Sequence, residues 1–175
     1  MFIKCFKDIS SYGYCASKKE TYFGLKLHAL INNNGYITDF ILTAANIDDR
    51  DALWELTSSY KQIKVIGDKG YISNSLSKEL ANERGISLLA LQRKNSKKEI
   101  PKNFRNTLSK MRRRVETSFS QLVGQLNINR VLAKSKWGLM TRITLKVLAH
   151  NLAYLLNSLM GKTENISQIK HLIFG

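Results

Sequence analysis

The sequence predicts an α/β fold, a mixed sheet carrying an antiparallel hairpin and flanked by helices. Three observations predict it. Residues 22–31 alternate apolar and polar up to Asn32-Asn33-Asn34-Gly35, a strong hairpin signal, and 36–43 return as a second strand. Two short apolar runs, Ile63–Ile66 and Ile86–Leu91, are separated by a helical stretch. Two long amphipathic stretches, 104–126 and 137–160, follow. A chain of 175 residues with 43% hydrophobic content can build one real core. The reading places that core over 1–160 and a C-terminal tail over 161–175.

The elements can be justified in order. Phe2, Ile3 and Phe6 suit a short strand, with Lys18-Lys19 a basic bend. In the first clear strand, Phe23, Leu25, Leu27, Ala29 and Ile31 share one face and Lys26 and His28 the other. That second face is either solvated or a row of cations meeting phosphates. Asp48 suits a helix N-cap and Asp51 the first turn, so capping explains these acids. Ser73 or Ser75 caps the next helix and Gly85 ends it. Residues 92–103 form a basic loop with Arg93, Lys94, Lys97, Lys98 and Lys102. In the helix over 104–126, Val115, Phe119, Leu122, Val123 and Leu126 make an apolar stripe. In the last long helix, Trp137, Met140, Ile143, Val147, Leu148, Leu152, Leu155, Leu156 and Leu159 are read as core. The tail becomes apolar again at Ile169, Leu172, Ile173 and Phe174, and either docks or frays.

Chemistry centres on Val65-Ile66-Gly67-Asp68-Lys69-Gly70-Tyr71. Asp68 falls where a buried strand stops, and open α/β sheets place ligand chemistry there. The glycines on either side admit close approach of another backbone or a ligand. An Asp-x-Gly turn is the plain alternative. A second carboxylate, Glu116, stands beside the apolar stripe of its helix, where a negative charge needs a positive partner. Arg112, four residues earlier, is one such partner and a divalent metal is another. Arg112, Arg113 and Arg114 surround the helix, so some must face solvent or phosphate.

Composition narrows the partners. The formal net charge is +15, which favours nucleic acid or an anionic surface. Cys5 and Cys15, with His28, His150 and His171, show no metal-ligand spacing. No secretory signal is evident, and Arg142, Lys146, His150 and Asn151 interrupt the longest apolar region, so it is no membrane span. A cytoplasmic protein fits all of this.

Four pieces occur in an order that resembles the catalytic core of bacterial insertion-sequence transposases of the DDE type. They are Tyr22-Phe23-Gly24-Leu25-Lys26-Leu27-His28, Leu42-Thr43-Ala44-Ala45-Asn46-Ile47-Asp48-Asp49, Gly67-Asp68-Lys69-Gly70-Tyr71, and Arg112 with Glu116 in Arg-Arg-Arg-Val-Glu-Thr-Ser-Phe-Ser-Gln-Leu. Trp137-Gly138-Leu139 and its helix look like that family's closing element. The resemblance implies a ribonuclease-H-like fold, shared with retroviral integrases. It implies Asp68 and Glu116 as catalytic, metal-holding acids for two Mg²⁺ or Mn²⁺ ions. It also implies DNA, both transposon ends and target, as the partner, with a homo-oligomer expected. Lys26, His28, Lys69, Arg93, Lys94, Arg112, Arg113 and Arg114 are the residues assigned to DNA.

The chain departs from the family's pattern in two ways. Many relatives carry a tyrosine three residues before the arginine and a lysine seven after the glutamate; here Ser109 and Val123 stand there. The family's first aspartate precedes the hairpin, but Asp8 in Phe6-Lys7-Asp8-Ile9 does not resemble that motif. The expectation is therefore an N-terminally truncated transposase, missing its first central strand and weakly active or inactive. A non-catalytic DNA-binding remnant, or a partner of full-length transposase, is the alternative. A basic RNA-binding or ribosomal protein ranks below both.

Overall fold

A computed structural model describes residues 6–15, 19–71, 73–90, 102–162 and 166–173. Strands β1 (Ser11–Cys15), β2 (Glu20–Ile31) and β3 (Ile37–Ala44) form an antiparallel sheet in that order. Leu27 faces Leu42 and Ala29 faces Phe40 across the hairpin. The turn forms as its residues predict. Asn32 Oδ1 accepts from the amides of Asn34 and Tyr36, and Gly35 takes a φ of 93°.

Helix α1 (Asp49–Leu56) follows, with Asp48 as N-cap accepting from the Arg50 amide. Strand β4 (Lys64–Gly67), helix α2 (Asn74–Arg84) and strand β5 (Ser87–Ala90) make a parallel unit, Val65 opposite Leu88. Ser73 caps α2, and Gly85 closes it in the left-handed region at φ 64°. Arg84 then pins α2 to α1. Its guanidinium lies 4.0 Å over the Trp54 ring and donates to the Trp54 carbonyl at 2.7 Å. Helices α3 (Lys102–Gly124), α4 (Lys136–Leu159) and α5 (Lys170–Ile173) complete the chain.

The side-chain period of two along β2 explains the layering. Leu25, Leu27, Ala29 and Ile31 pack with Phe40 and Leu42 on a core of Phe6, Ile37, Leu122, Leu139, Ile143 and Val147, supplied largely by α3 and α4. Leu30, on the opposite face, packs against the second core of Leu53, Val65, Leu76, Leu80 and Ile86. At the sheet margin, the Asn151 amide both accepts from Ile37 N–H at 3.0 Å and donates to its carbonyl at 2.9 Å. The tail docks: Ile169 is fully buried, and Asn157 donates to the carbonyls of Ile166 and Gln168.

Several expectations change. One mixed sheet was expected; among the described residues the strands form two sheets. β2 takes β1 and β3 as neighbours and β4 takes only β5, so the sheets meet through side chains, not a ladder. The mixed α/β arrangement is compatible with a ribonuclease-H-like fold. Phe6 is not on a strand but buries its ring in the core. On α3, Val115 and Val123 are exposed, and Leu108, Ser118 and Gln121 join Leu122 on the buried side. Ser118 and Gln121 are accommodated because each has a hydrogen-bond partner: Ser118 meets the Gly35 carbonyl, and Gln121 meets His150 and Tyr154. On α4, Trp137, Met140, Leu148, Leu152, Leu155, Leu156 and Leu159 are exposed rather than core. Leu139, Ile143, Val147, His150, Tyr154 and Asn157 occupy the buried side.

Two predictions follow from this packing. A Cβ on Gly35 would lie 2.5 Å from the Tyr154 ring, at a backbone angle that side chains rarely adopt. Gly35→Ala is expected to cost about 1–3 kcal/mol, read from the urea midpoint. Burial pushes the His150 imidazole below its ordinary value of 6.5, against a smaller opposing hydrogen bond with Asn151. The unfolded chain then binds more protons, so this stability is fully present above about pH 6.5 and lost as pH falls below it. His150→Gln should flatten that part of the stability-versus-pH curve.

Candidate active site

Strand β4 ends at Gly67, and Asp68 opens a 3₁₀ turn over Lys69–Tyr71, closed by Tyr71 N–H donating to the Asp68 carbonyl at 3.0 Å. Glycine at position 67 is required by close approach: a Cβ there would come 2.9 Å from the Tyr71 Cβ. Tyr71 therefore folds back beneath the strand end and leaves the Asp68 carboxylate outside. The Asp68 side chain is 60% exposed and that of Glu116 59%, so both are open to solvent.

The two acids come from different elements and meet one cation. Arg112 Nε donates to Glu116 Oε1 at 2.8 Å, one turn along α3. The same guanidinium reaches toward β4, its terminal nitrogen 4.0 Å from Asp68 Oδ1. The second distance is an ion-pair contact and is too long for a hydrogen bond. The hydrogen bond to Glu116, then the charges of Asp68 and Glu116, raise the Arg112 pKa further above its ordinary value. Arg112 is thus both the partner expected on the helix and a bridge to the loop.

A neighbouring acid, Asp49, lies beside this loop. Lys26 Nζ donates to Asp49 Oδ1 at 2.9 Å and to the Ile47 carbonyl at 2.7 Å. The other Asp49 oxygen would lie 3.6 Å from a Cβ on Gly70. Burial, then the charges of Asp49, Asp68 and Asp48, push the Tyr71 phenol up to about 12, so it stays protonated. Asp48, by contrast, is held well below the usual carboxylate range by hydrogen bonds from Arg50. Capping therefore explains Asp48, whereas Asp49 holds Lys26 of β2. The available signal was the Asp48-Asp49 doublet, because one N-cap accounts for only one of two adjacent acids.

The cations assigned to DNA separate in space. Lys26 is held by Asp49. His28 is buried, meets Thr43 Oγ1 at 2.9 Å, and is pushed below its ordinary pKa chiefly by burial. The expected row of free cations on β2 is thus replaced by an ion pair and a neutral imidazole, because α1 packs over that face. Arg113 and Arg114 are exposed on α3, and Arg114 donates to the Asn33 carbonyl at the hairpin turn. Lys69 lies in the 3₁₀ turn beside Asp68. Arg93 and Lys94 lie outside the described residues.

A model of the transposase DDE domain matches residues 3–136, well over half of the chain, and the chain belongs to that family. Its general function is accordingly that of a transposase, with DNA as the substrate that the family implies. No curated protein and no solved structure matches it. None of its helices, among the described residues, is long and apolar enough to cross a membrane.

The Lys26–Asp49 contact yields a test. Lys26→Met is expected to lower stability by about 1 kcal/mol, because it removes two hydrogen bonds at a half-exposed site. Asp49→Asn should cost less, since the bond to the Ile47 carbonyl survives. Urea titrations of both variants check the ranking.

Proposed function

We propose that the chain is a core for metal-dependent cleavage and strand transfer of insertion-sequence DNA, weakly active or inactive by itself, with Asp68 and Glu116 as its metal-holding acids. The observation that supports this most directly is the single guanidinium shared by those two carboxylates. Carboxylates that flank one guanidinium border the same space, where a pair of divalent ions and a substrate phosphate would sit between them.

The donor chemistry fits magnesium. Mg²⁺ is commonly held by one or two carboxylates, keeping waters and taking phosphate oxygens from the substrate. Asp68 and Glu116 are the residues that would hold it, both oxygen donors and both accessible. A bound divalent ion supplies the charge that activates an attacking hydroxyl or water and stabilises a leaving 3′ oxygen. The chain's own residues set the geometry. Gly67 and Tyr71 fix the turn that carries Asp68. Arg112 holds the acids together without metal and, once released from them, is placed to meet a strand phosphate. Arg113, Arg114, Lys69, Arg93 and Lys94 remain the proposed phosphate contacts.

One observation favours a second reading, that of a DNA-binding module without catalysis. Among the described residues no group of three His, Cys, Asp or Glu could hold a metal, so neither Asp8 nor Asp49 completes a trio with the two acids.

Nicking of supercoiled and transposon-end DNA by the purified chain separates the readings. Catalysis predicts cleavage in Mg²⁺ or Mn²⁺ that falls about 100-fold or more in Asp68→Asn and in Glu116→Gln. Cleavage that persists in both variants would overturn the assignment. DNA binding that is salt-sensitive, unchanged by chelator and unaccompanied by nicking supports the module.

A further inference from the structure

The loop between α3 and α4 holds apolar side chains away from the core. Val131 and Ala133 pack on the main core, and Leu132 between them is 82% exposed. The Leu132 backbone takes a φ of 52°, a left-handed conformation that a leucine rarely adopts. The chain fixes the loop there from several directions. Arg142 donates to the carbonyls of Val131 and Leu132 at 2.8 and 3.1 Å, and Lys146 donates to the Leu126 carbonyl. Ser135 accepts from the Gly138 amide at 3.1 Å and starts α4. Trp137, in the first turn of that helix, is also 82% exposed. A single exposed apolar residue is ordinary. Here the two most exposed large hydrophobics among the described residues stand within one braced segment.

Charge selects the partner. Arg130, Lys134 and Lys136 are exposed in the same segment, and the sequence has no Asp or Glu between Glu116 and Glu164. Apolar side chains interleaved with cations fit a ligand that is anionic outside and apolar within. Duplex DNA is layered in that way, phosphates outside and stacked bases inside. We infer that this loop is a wedge for duplex DNA: Leu132 and Trp137 enter the base stack at one opened step, and Arg130, Lys134 and Lys136 meet the flanking phosphates. Apolar side chains inserted at a step unstack it and kink the duplex, and an indole stacks on any base it meets. The bracing by Arg142 and Lys146 serves this task, because a loop already ordered loses little freedom when it binds. The inference deepens the proposed function by naming the DNA that the chain prefers, a duplex that is easily unstacked. It rests on that reading for DNA as the ligand and not on Asp68 or Glu116, since no chemical step passes through the loop.

Duplexes carrying a fluorescent adenine analogue, whose emission rises when its base unstacks, read the wedge. The assay is run in chelator, so that no strand is cut. Emission should rise on binding of the full chain, and a duplex with a short central mismatch should bind about tenfold more tightly than the matched one. Leu132→Asn with Trp137→Ala should abolish both the rise and the preference, leaving salt-sensitive binding to the matched duplex in place. Asparagine is chosen because it accepts the left-handed backbone. Both positions are exposed, and circular dichroism verifies that the variant folds. Lys134→Gln with Lys136→Gln should instead weaken binding to both duplexes alike and reduce the salt slope by about 2. Asp68→Asn should match the unsubstituted chain in this assay, so a failed wedge and a failed active site give different results. Binding without a rise, or a rise that survives in the Leu132 and Trp137 variant, would overturn the wedge. So would a dependence on these two residues found only with vesicles of phosphatidylserine in phosphatidylcholine, since an anionic membrane surface would then be the partner.

Discussion

The shared guanidinium of Arg112 is the contact on which the functional reading of this fold depends. It joins a carboxylate at the end of a parallel strand to one on a long helix from a different core. Neither acid has a burial reason to sit there. Both are more than half exposed, and an exposed ion pair contributes little to stability. The arrangement is better understood as held by the fold than as holding it. Strand β4 and helix α3 are positioned by their own apolar partners, Val65 in one core and Leu122 in the other. The acids converge because those two cores abut at β2, where Leu27 and Ala29 face one and Leu30 the other.

That dependence makes β2 the organising strand. Its two faces have different tasks, and the period of two assigns them without exception from Leu25 to Ile31. One face makes the main core. The other carries Lys26, His28 and Leu30 beneath α1, so a lysine and a histidine that resemble a basic surface in the sequence become structural. Lys26 is accommodated by pairing with Asp49 and the Ile47 carbonyl. His28 is accommodated by its bond with Thr43 Oγ1, while burial pushes its pKa below the ordinary value.

Local rules made much of this legible in the sequence. The hairpin, the caps at Asp48 and Ser73, the glycine closing α2 and the limits of the long helices all rest on short-range backbone chemistry, which a sequence displays directly. Asp68 and Glu116 were legible as a pair only through the order of motifs, because no local rule reports a contact between a strand end and a distant helix. The errors have one cause. Periodicity says that a face is apolar but not whether anything covers it. On α4 the apolar residues form two stripes of which one is covered, and on α3 Val115 and Val123 face solvent while Ser118 and Gln121 hold the buried positions. Buried polar residues that satisfy one another leave no trace in a hydrophobic pattern.

The Asn151 amide at the start of β3 has a consequence for how copies of this chain can meet. By occupying both the donor and the acceptor of Ile37, it imitates an adjoining strand for one residue. A foreign strand arriving along that margin finds its first pairing position already taken, which discourages the edge-to-edge growth that open sheets invite. The molecule is in effect closed to recruitment through its backbone at that point, and encounters between copies are steered toward side chains instead.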